Sequence, residues 1–145
     1  MENLNVNVLL VDDESTFVDV MEKRLKKRNV TVFTASSGPE ALQKLSENDR
    51  IEVVILDVKM PQMDGIETLA RIKKDHPLVE VIMLTAHATV ETAIDGMKLG
   101  AFDYLMKPCE VEELVEKTES AAARKRAHEE KIVEARVREI TMRRR

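Results

Sequence analysis

The chain has 145 residues, of which 43% are apolar and 34% charged, and it contains no tryptophan. This length favours one domain with a real core, and no apolar run approaches the roughly 20 residues that a membrane helix needs. The single cysteine, Cys109, cannot form an internal disulfide, and residues 1–4 lack the basic start of a secretory signal. We therefore expect a cytoplasmic protein that makes no membrane contact.

Charge is distributed unevenly along the chain, whose formal net charge is −4. Residues 1–118 carry 14 basic and 22 acidic side chains, whereas residues 119–145 carry nine and five. The acidic body argues against direct binding of nucleic acid, because phosphate contacts require lysine and arginine. The basic end is too short to contain a helix-turn-helix domain.

Five short apolar runs alternate with segments of helical period, which predicts an α/β fold with a parallel sheet between helices. The run 30–35 is the most polar, so we place it at a sheet edge. One helix has its larger apolar residues on one side: Val90, Ala93, Ile94 and Met97. The predicted strands are 6–11, 30–35, 51–57, 79–84 and 101–106, and the predicted helices are 15–28, 40–47, 66–74, 89–99 and one from residue 110 onwards.

Polar side chains stand at the carboxyl ends of four predicted strands: Asp12 and Asp13, then Asp57, Thr85 and Lys107. In a parallel sheet these ends share one edge, where ligands bind. Three crowded carboxylates need a cation or a retained proton, and a set of oxygen ligands suits Mg²⁺. Because an aspartate can attack phosphorus, the pattern predicts an aspartyl-phosphate site that uses Mg²⁺.

These residues resemble the receiver domain of bacterial two-component response regulators over residues 5–120. The resemblance implies a flavodoxin-like, five-stranded parallel sheet of strand order 2-1-3-4-5, with five helices on its two faces. It rests on Val-Asp-Asp-Glu at 11–14, Leu-Asp-Val-Lys-Met-Pro-Gln-Met-Asp-Gly at 56–65, Leu-Thr-Ala at 84–86 and Tyr-Leu-Met-Lys-Pro at 104–108.

By this resemblance, Asp57 accepts a phosphoryl group from the phosphohistidine of a sensor histidine kinase. The chain would then be a signalling switch of a phosphorelay that catalyses only its own phosphotransfer and slow autodephosphorylation. The resemblance implies that Asp13 and Asp57 bind Mg²⁺ directly, that Asp12 helps through water, and that the Lys59 backbone carbonyl is a further ligand.

The resemblance also assigns the remaining strand-end residues. Lys107 and Thr85 would bind the phosphoryl oxygens, with the small Ala86 allowing access. Tyr104 would swing inward as Thr85 moves, which would reshape the face made by the fourth helix, fifth strand and fifth helix for a downstream target. The bond between Lys107 and Pro108 is expected to be cis, which would aim the lysine inward.

Two positions in the predicted loops have open interpretations. Lys59 and His87 each follow a site residue by two positions, and in the family such positions influence how fast the aspartyl phosphate hydrolyses. They are either tuning residues of this kind or two exposed loop residues.

Three other functional classes fit the sequence less well. A phosphatase of the haloacid dehalogenase class needs a second aspartate two residues after its nucleophile, where this chain has Lys59. A nucleotide or flavin binder needs a glycine-rich loop after the first strand, where this chain has the acidic stretch 12–15. An interaction module without phosphorylation would not need the intact acceptor set.

Residues 121–145 are rich in Ala, Glu, Lys and Arg, which predicts a basic extension of the last helix to about residue 141. This extension could be a linker, a docking helix or a dimerisation helix, or it could be a solvated helix that frays. The stretch 101–108 resembles regulators with ATPase and DNA-binding domains, so the alternative to a single-domain regulator is the N-terminal regulatory fragment of a longer DNA-binding transcriptional regulator. A sparse apolar seam could pair with a second chain: Leu114, Ala121, Ala122, Val133, Val137 and Ile140.

Overall fold

A computed structural model describes residues 5–60 and 62–143. Its five parallel strands form one sheet of order β2-β1-β3-β4-β5, which confirms the predicted topology and the edge position of the second strand. Pro61, within the motif at 56–65, and the terminal residues 1–4 and 144–145 lie outside the described residues. The elements are β1 (Val6–Val11), α1 (Ser15–Lys26), β2 (Val30–Ala35), α2 (Gly38–Glu47), β3 (Val53–Leu56), α3 (Gly65–Asp75), β4 (Glu80–Thr85), α4 (Val90–Lys98), β5 (Asp103–Met106) and α5 (Val111–Arg143).

The sheet lies between two hydrophobic layers, because successive strand residues point to opposite faces. In β1, Leu9 and Val11 face the layer formed with α2 and α3, whereas Val8 and Leu10 face the layer formed with α1 and α5. The central strands β1, β3 and β4 are therefore buried on both faces and have nearly continuous apolar sequences. This buried support holds their carboxyl ends, and the side chains beyond them, in place.

Several element boundaries differ from the predictions by one or two residues. Helix α1 ends at Lys26 rather than at Arg28, because the chain turns at Asn29, whose φ is 63°. Strand β4 includes Thr85, which pairs with Met106 of β5. Asp57 lies directly after the last paired residue of β3.

The apolar side of α4 is largely exposed. Val90 is 77% exposed, and Ile94 and Met97 are each 48% exposed. The helix approaches the sheet instead through Gly96, the one residue of α4 that is buried. A Cβ atom at Gly96 would meet the Tyr104 ring at 3.5 Å, so the glycine brings this side of α4 close to β5.

Helix α5 runs unbroken for 33 residues, and its two halves have different surroundings. The predicted intermolecular seam is wrong for its first half, because Leu114, Ala121 and Ala122 are fully buried in the layer beneath α5. From Glu129 to Arg143 every residue is exposed. No helix among residues 5–60 and 62–143 is long and apolar enough to span a membrane.

Candidate functional site

The three aspartates predicted to cluster do so at the carboxyl ends of β1 and β3. One carboxylate oxygen from each of Asp12, Asp13 and Asp57 lies within 4.8 Å of the others. Asp12 and Asp57 are only 2% and 3% exposed, whereas Asp13 is exposed. The cluster therefore has two buried carboxylates at its base and one at its mouth.

Backbone hydrogen bonds hold the two buried aspartates in this arrangement. The backbone amides of Asp12 and Asp57 donate to the carbonyls of Ala35 and Val11, each at 3.1 Å, and so extend the sheet by one bond. Asp12 Oδ1 accepts from the Glu14 amide at 2.9 Å, and Asp57 Oδ1 accepts from the Val58 amide at 2.8 Å. Both carboxylates are thus oriented through one oxygen.

The other oxygen of each buried aspartate faces the ammonium of Lys107. Lys107 Nζ donates to Asp12 Oδ2 at 2.5 Å and lies 3.9 Å from Asp57 Oδ2 and 3.6 Å from Glu14 Oε1. Its backbone amide donates to the Thr85 carbonyl at 2.9 Å, and the Lys107–Pro108 peptide is cis, as predicted. The chain thus brings one cation into a group of four carboxylates.

This excess of negative charge affects the two groups at its centre. Burial raises the pKa of Asp12, and the charge of Asp57 raises it further, although the bond from Lys107 and the Glu14 amide oppose these effects. For Lys107, burial alone lowers the pKa, but the hydrogen bond to Asp12 and the nearby carboxylates outweigh it, so the pKa of Lys107 is raised. Lys107 therefore stays charged. The approach of a further cation would reduce the repulsion among the buried carboxylates.

The ligand atoms suit a hard divalent cation. Three carboxylates supply oxygen only, and Asp13 stands where an ion from solvent would enter. Mg²⁺ is typically held by one or two carboxylates and keeps several of its waters. The residues present therefore fit the predicted metal.

The remaining predicted site residues lie around this cluster. Thr85 is fully buried at the end of β4, and its Oγ1 accepts from the His87 amide at 3.0 Å. Ala86, His87 and Lys59 are exposed on the loops that follow β4 and β3. Tyr104 is half-buried on β5, and its hydroxyl lies 2.7 Å from Thr92 Oγ1 on α4, so in this structure it is tied to α4.

Two contacts at the site were not predicted. Phe17 of α1 places its ring centroid 3.9 Å from Lys107 Nζ. A Cβ atom at Gly65 would lie 2.1 Å from the Asp57 carbonyl oxygen. A glycine is required at this position because the start of α3 packs directly against the backbone of Asp57. The aspartate-glycine pair at 64–65 is visible in the sequence, whereas this contact depends on the fold.

The comparisons with known proteins agree with this geometry. The sequence model described as the response regulator receiver domain matches residues 8–119. The chain is 37% identical over 123 residues to the transcriptional regulatory protein ZraR of Escherichia coli K12, a match that covers 85% of this chain and 28% of the relative. It is 39% identical over 114 residues to the DNA-binding transcriptional regulator NtrC of the same organism, which covers 79% and 24%.

A solved structure shows the same architecture. The response regulator receiver domain protein from Clostridium thermocellum superposes with a TM-score of 0.80 at 41% identity, covering 84% of this chain and 98% of that one. The present chain thus spans about a quarter of the curated relatives it matches and nearly the whole of this structural neighbour.

Proposed function

Because this chain belongs to the response regulator receiver domain family, we propose that it acts as a phosphorylation-dependent switch in a two-component phosphorelay. Asp57 accepts a phosphoryl group from a phosphohistidine of a sensor histidine kinase, a role that would place the chain in the cytoplasm. The observation that carries the proposal is the buried Asp57 carboxylate, beside two further aspartates and 3.9 Å from the Lys107 ammonium. A signalling function of this kind requires one transfer per signal and no turnover of a separate substrate.

The chemistry at the site is a transfer of phosphorus from nitrogen to oxygen. Asp57 Oδ attacks the phosphorus, the P–N bond breaks, and the imidazole of the kinase leaves with the bonding electron pair. Mg²⁺, held by Asp12, Asp13, Asp57 and the Lys59 carbonyl, would neutralise charge on the phosphoryl oxygens. Lys107 supplies a second cation for the phosphoryl oxygens.

The same residues suggest how phosphorylation reaches the surface. Thr85 turns toward the phosphoryl group with Ala86 leaving access, and Tyr104 moves inward into the space that Thr85 vacates. Since the Tyr104 hydroxyl contacts Thr92, its movement breaks a bond to α4. The exposed apolar side of α4, near Val90 and Met97, then forms part of the face that binds a downstream protein or a second copy.

Lys59 and His87 are proposed to set the lifetime of the aspartyl phosphate. Both are exposed on loops beside the site, where their side chains can reach water that approaches Asp57. Exchange of both residues should change the rate at which the aspartyl phosphate hydrolyses once the phosphoryl donor is removed, while the protein still accepts one phosphoryl group per chain.

We propose a receiver unit of residues 1–120 followed by a basic helical extension of residues 121–145. The exposed half of α5 keeps Val133, Val137 and Ile140, which are 60%, 56% and 54% exposed, at the spacing of a helical seam. This seam is suited to dimerisation or to docking of an effector, although its short apolar length favours a weak contact.

The test of the phosphoacceptor is a mass measurement. We expect that incubation with acetyl phosphate and Mg²⁺ adds one phosphoryl group to the parent protein and none to Asp57→Asn. The exposed and distant Asp49→Asn serves as the matched control and should react like the parent. Beryllofluoride provides a second probe, which needs no phosphoryl donor. A folded parent protein that reacts with neither acetyl phosphate nor beryllofluoride would overturn the proposal.

A further inference from the structure

The ammonium of Lys107 is enclosed on two different sides. Carboxylates lie on one side, with Asp12 Oδ2 at 2.5 Å, and the ring of Phe17 lies on another, with its centroid at 3.9 Å. Phe17 belongs to the first turn of α1 and is half-buried. A cation at this distance from a ring face is attracted by the quadrupole of the ring.

This attraction acts in a place with little water to weaken it. The Lys107 side chain is only 10% exposed, and cation–π contacts strengthen as the cation loses its hydration. An apolar residue such as leucine at position 17 would keep the packing on α1 but would not replace the attraction. The aromatic character of Phe17 therefore has an electrostatic effect at this site.

The surroundings leave Lys107 room to move. Phe17, Lys107 and Cys109 line a cavity of about 200 Å³ between α1 and the end of β5. Its walls are mainly apolar, with Leu84 at the base and Val20 at the exposed rim. A lysine with free space beside it keeps one position only if specific contacts favour that position.

We propose that Phe17 is a positioning residue for Lys107 in phosphotransfer to Asp57. Its ring holds the ammonium among the carboxylates, 3.9 Å from Asp57 Oδ2. That separation is too long for a direct hydrogen bond, so the ammonium is free to bond to an oxygen of a phosphoryl group carried by Asp57. The inference rests on the proposed function, because it concerns the same lysine and the same transfer.

The experiment replaces Phe17 with phenylalanine carrying one, three or five ring fluorines. Fluorination keeps the shape of the ring but removes the negative charge from its face. We expect the rate constant for phosphorylation by acetyl phosphate to fall stepwise with fluorine number, by about fivefold for the pentafluoro ring. Phe17→Leu should fall to a similar extent, and Phe17→Tyr, which keeps the ring face, should stay within about twofold of the parent.

Two controls separate this effect from packing. Pentafluorophenylalanine at Phe33, which packs against the opposite layer, should leave the rate unchanged. In Lys107→Met protein, fluorination at position 17 should no longer change the residual rate, because the cation is gone. Thermal unfolding of each protein shows that it is folded.

The outcomes distinguish the two proposals. A parent protein that is not phosphorylated at Asp57 overturns the proposed function, and the role of Phe17 with it. A reactive parent whose rate does not change on fluorination overturns the role of Phe17 alone. A dependence that persists in Lys107→Met also overturns it, since the ring would then act through something other than the lysine.

Discussion

Carboxylates are buried at both ends of the parallel strands: at their amino-terminal ends, here called the amino edge, and at their carboxyl-terminal ends, here called the carboxyl edge. The two groups of carboxylates differ in the cations that accompany them. At the amino edge, Glu52 accepts two hydrogen bonds from Arg126, at 2.6 and 2.8 Å, and Glu80 Oε2 forms an ion pair with Arg124 Nε at 2.8 Å. At the carboxyl edge, by contrast, Asp12, Asp57 and Glu14 all lie within 3.9 Å of the ammonium of Lys107, and Asp13 adds a further carboxylate beside the two aspartates.

This difference shows that the fold keeps the ion pairs that attach α5 to the sheet apart from the carboxylates that can bind a metal ion. A buried carboxylate that is paired with its own arginine has its charge balanced, and the protein loses stability when the arginine is removed. The amino edge uses such pairs to attach α5 to the starts of β3 and β4. Among the described residues, the carboxyl edge has more carboxylates than cations. It can therefore bind a metal ion, and its side chains can rearrange when the local charge changes.

The largest expected effect comes from breaking a pair at the amino edge. Arg126→Ala should lower the free energy of unfolding by about 2 kcal/mol, because it leaves the Glu52 carboxylate buried without its cation. Urea denaturation at pH 7 measures the loss. Arg136→Ala, in the exposed half of α5, is the matched control and should change stability by less than about 0.5 kcal/mol.

A second substitution identifies the cause of that loss. If the buried charge is responsible, Glu52→Gln should recover part of the stability in the Arg126→Ala background. An equal or greater loss in the double variant would mean that the arginine acts through packing of its stem instead.

At the carboxyl edge, removal of a charge should stabilise the protein. Without metal, Asp12→Asn should raise the free energy of unfolding at pH 7 by on the order of 1 kcal/mol, because burial and Asp57 raise the pKa of Asp12. The folded state then binds a proton at this group more readily than the unfolded state. The unfavourable contribution is complete above the raised pKa and disappears as pH falls through it toward 3.8.

The advantage of Asp12→Asn should therefore shrink between pH 7 and pH 4 in EDTA. Addition of Mg²⁺ should stabilise the parent more than the variant, since the variant lacks one carboxylate of the cluster. A variant that is less stable than the parent in EDTA at pH 7 would show that the bond to Lys107 outweighs the crowding.

The smallest effect concerns a carboxylate near the same edge with the opposite pH dependence. Hydrogen bonds from the amide and hydroxyl of Ser36 lower the pKa of Glu40 below 4.5. Its stabilisation is present above 4.5 and is lost as pH falls through the lowered pKa. Because the side chain is 40% exposed, Glu40→Gln should cost only about 0.5 kcal/mol at pH 7 and less near pH 3. Thermal unfolding at both pH values tests the sign.

The carboxyl edge was easier to predict from sequence than the amino edge. Asp57 and Lys107 each follow an apolar strand, and parallel strands bring such residues together whatever the details of packing. Glu52 and Glu80 have no comparable pattern, because a glutamate at the start of a strand is usually solvated. Their burial depends on arginines more than 40 residues away, on a helix whose exact path the sequence does not specify.

Side-chain packing explains the other differences between the sequence predictions and the structure. The apolar spacing along α4 predicted that Val90, Ala93, Ile94 and Met97 share one side, but the close approach at Gly96 determines which side faces the sheet. The contact between Phe17 and Lys107 likewise joins α1 to the end of β5, and no local pattern reports it. Sequence periodicity identifies the faces of a helix, whereas the rotation of the helix on the sheet requires coordinates.

Because helix α5 is unbroken, its exposed half moves together with its buried half. Its base is attached at Arg126 to the start of β3, the strand that leads to Asp57 at its other end. Beyond Arg126 the axis advances by about 25 Å to Arg143, so a tilt of about 6° at the base would displace the tip by about 2.5 Å. A shift at the base too small to break any bond would thus become, at the tip, a displacement large enough to alter how the seam of Val133 and Val137 meets another helix.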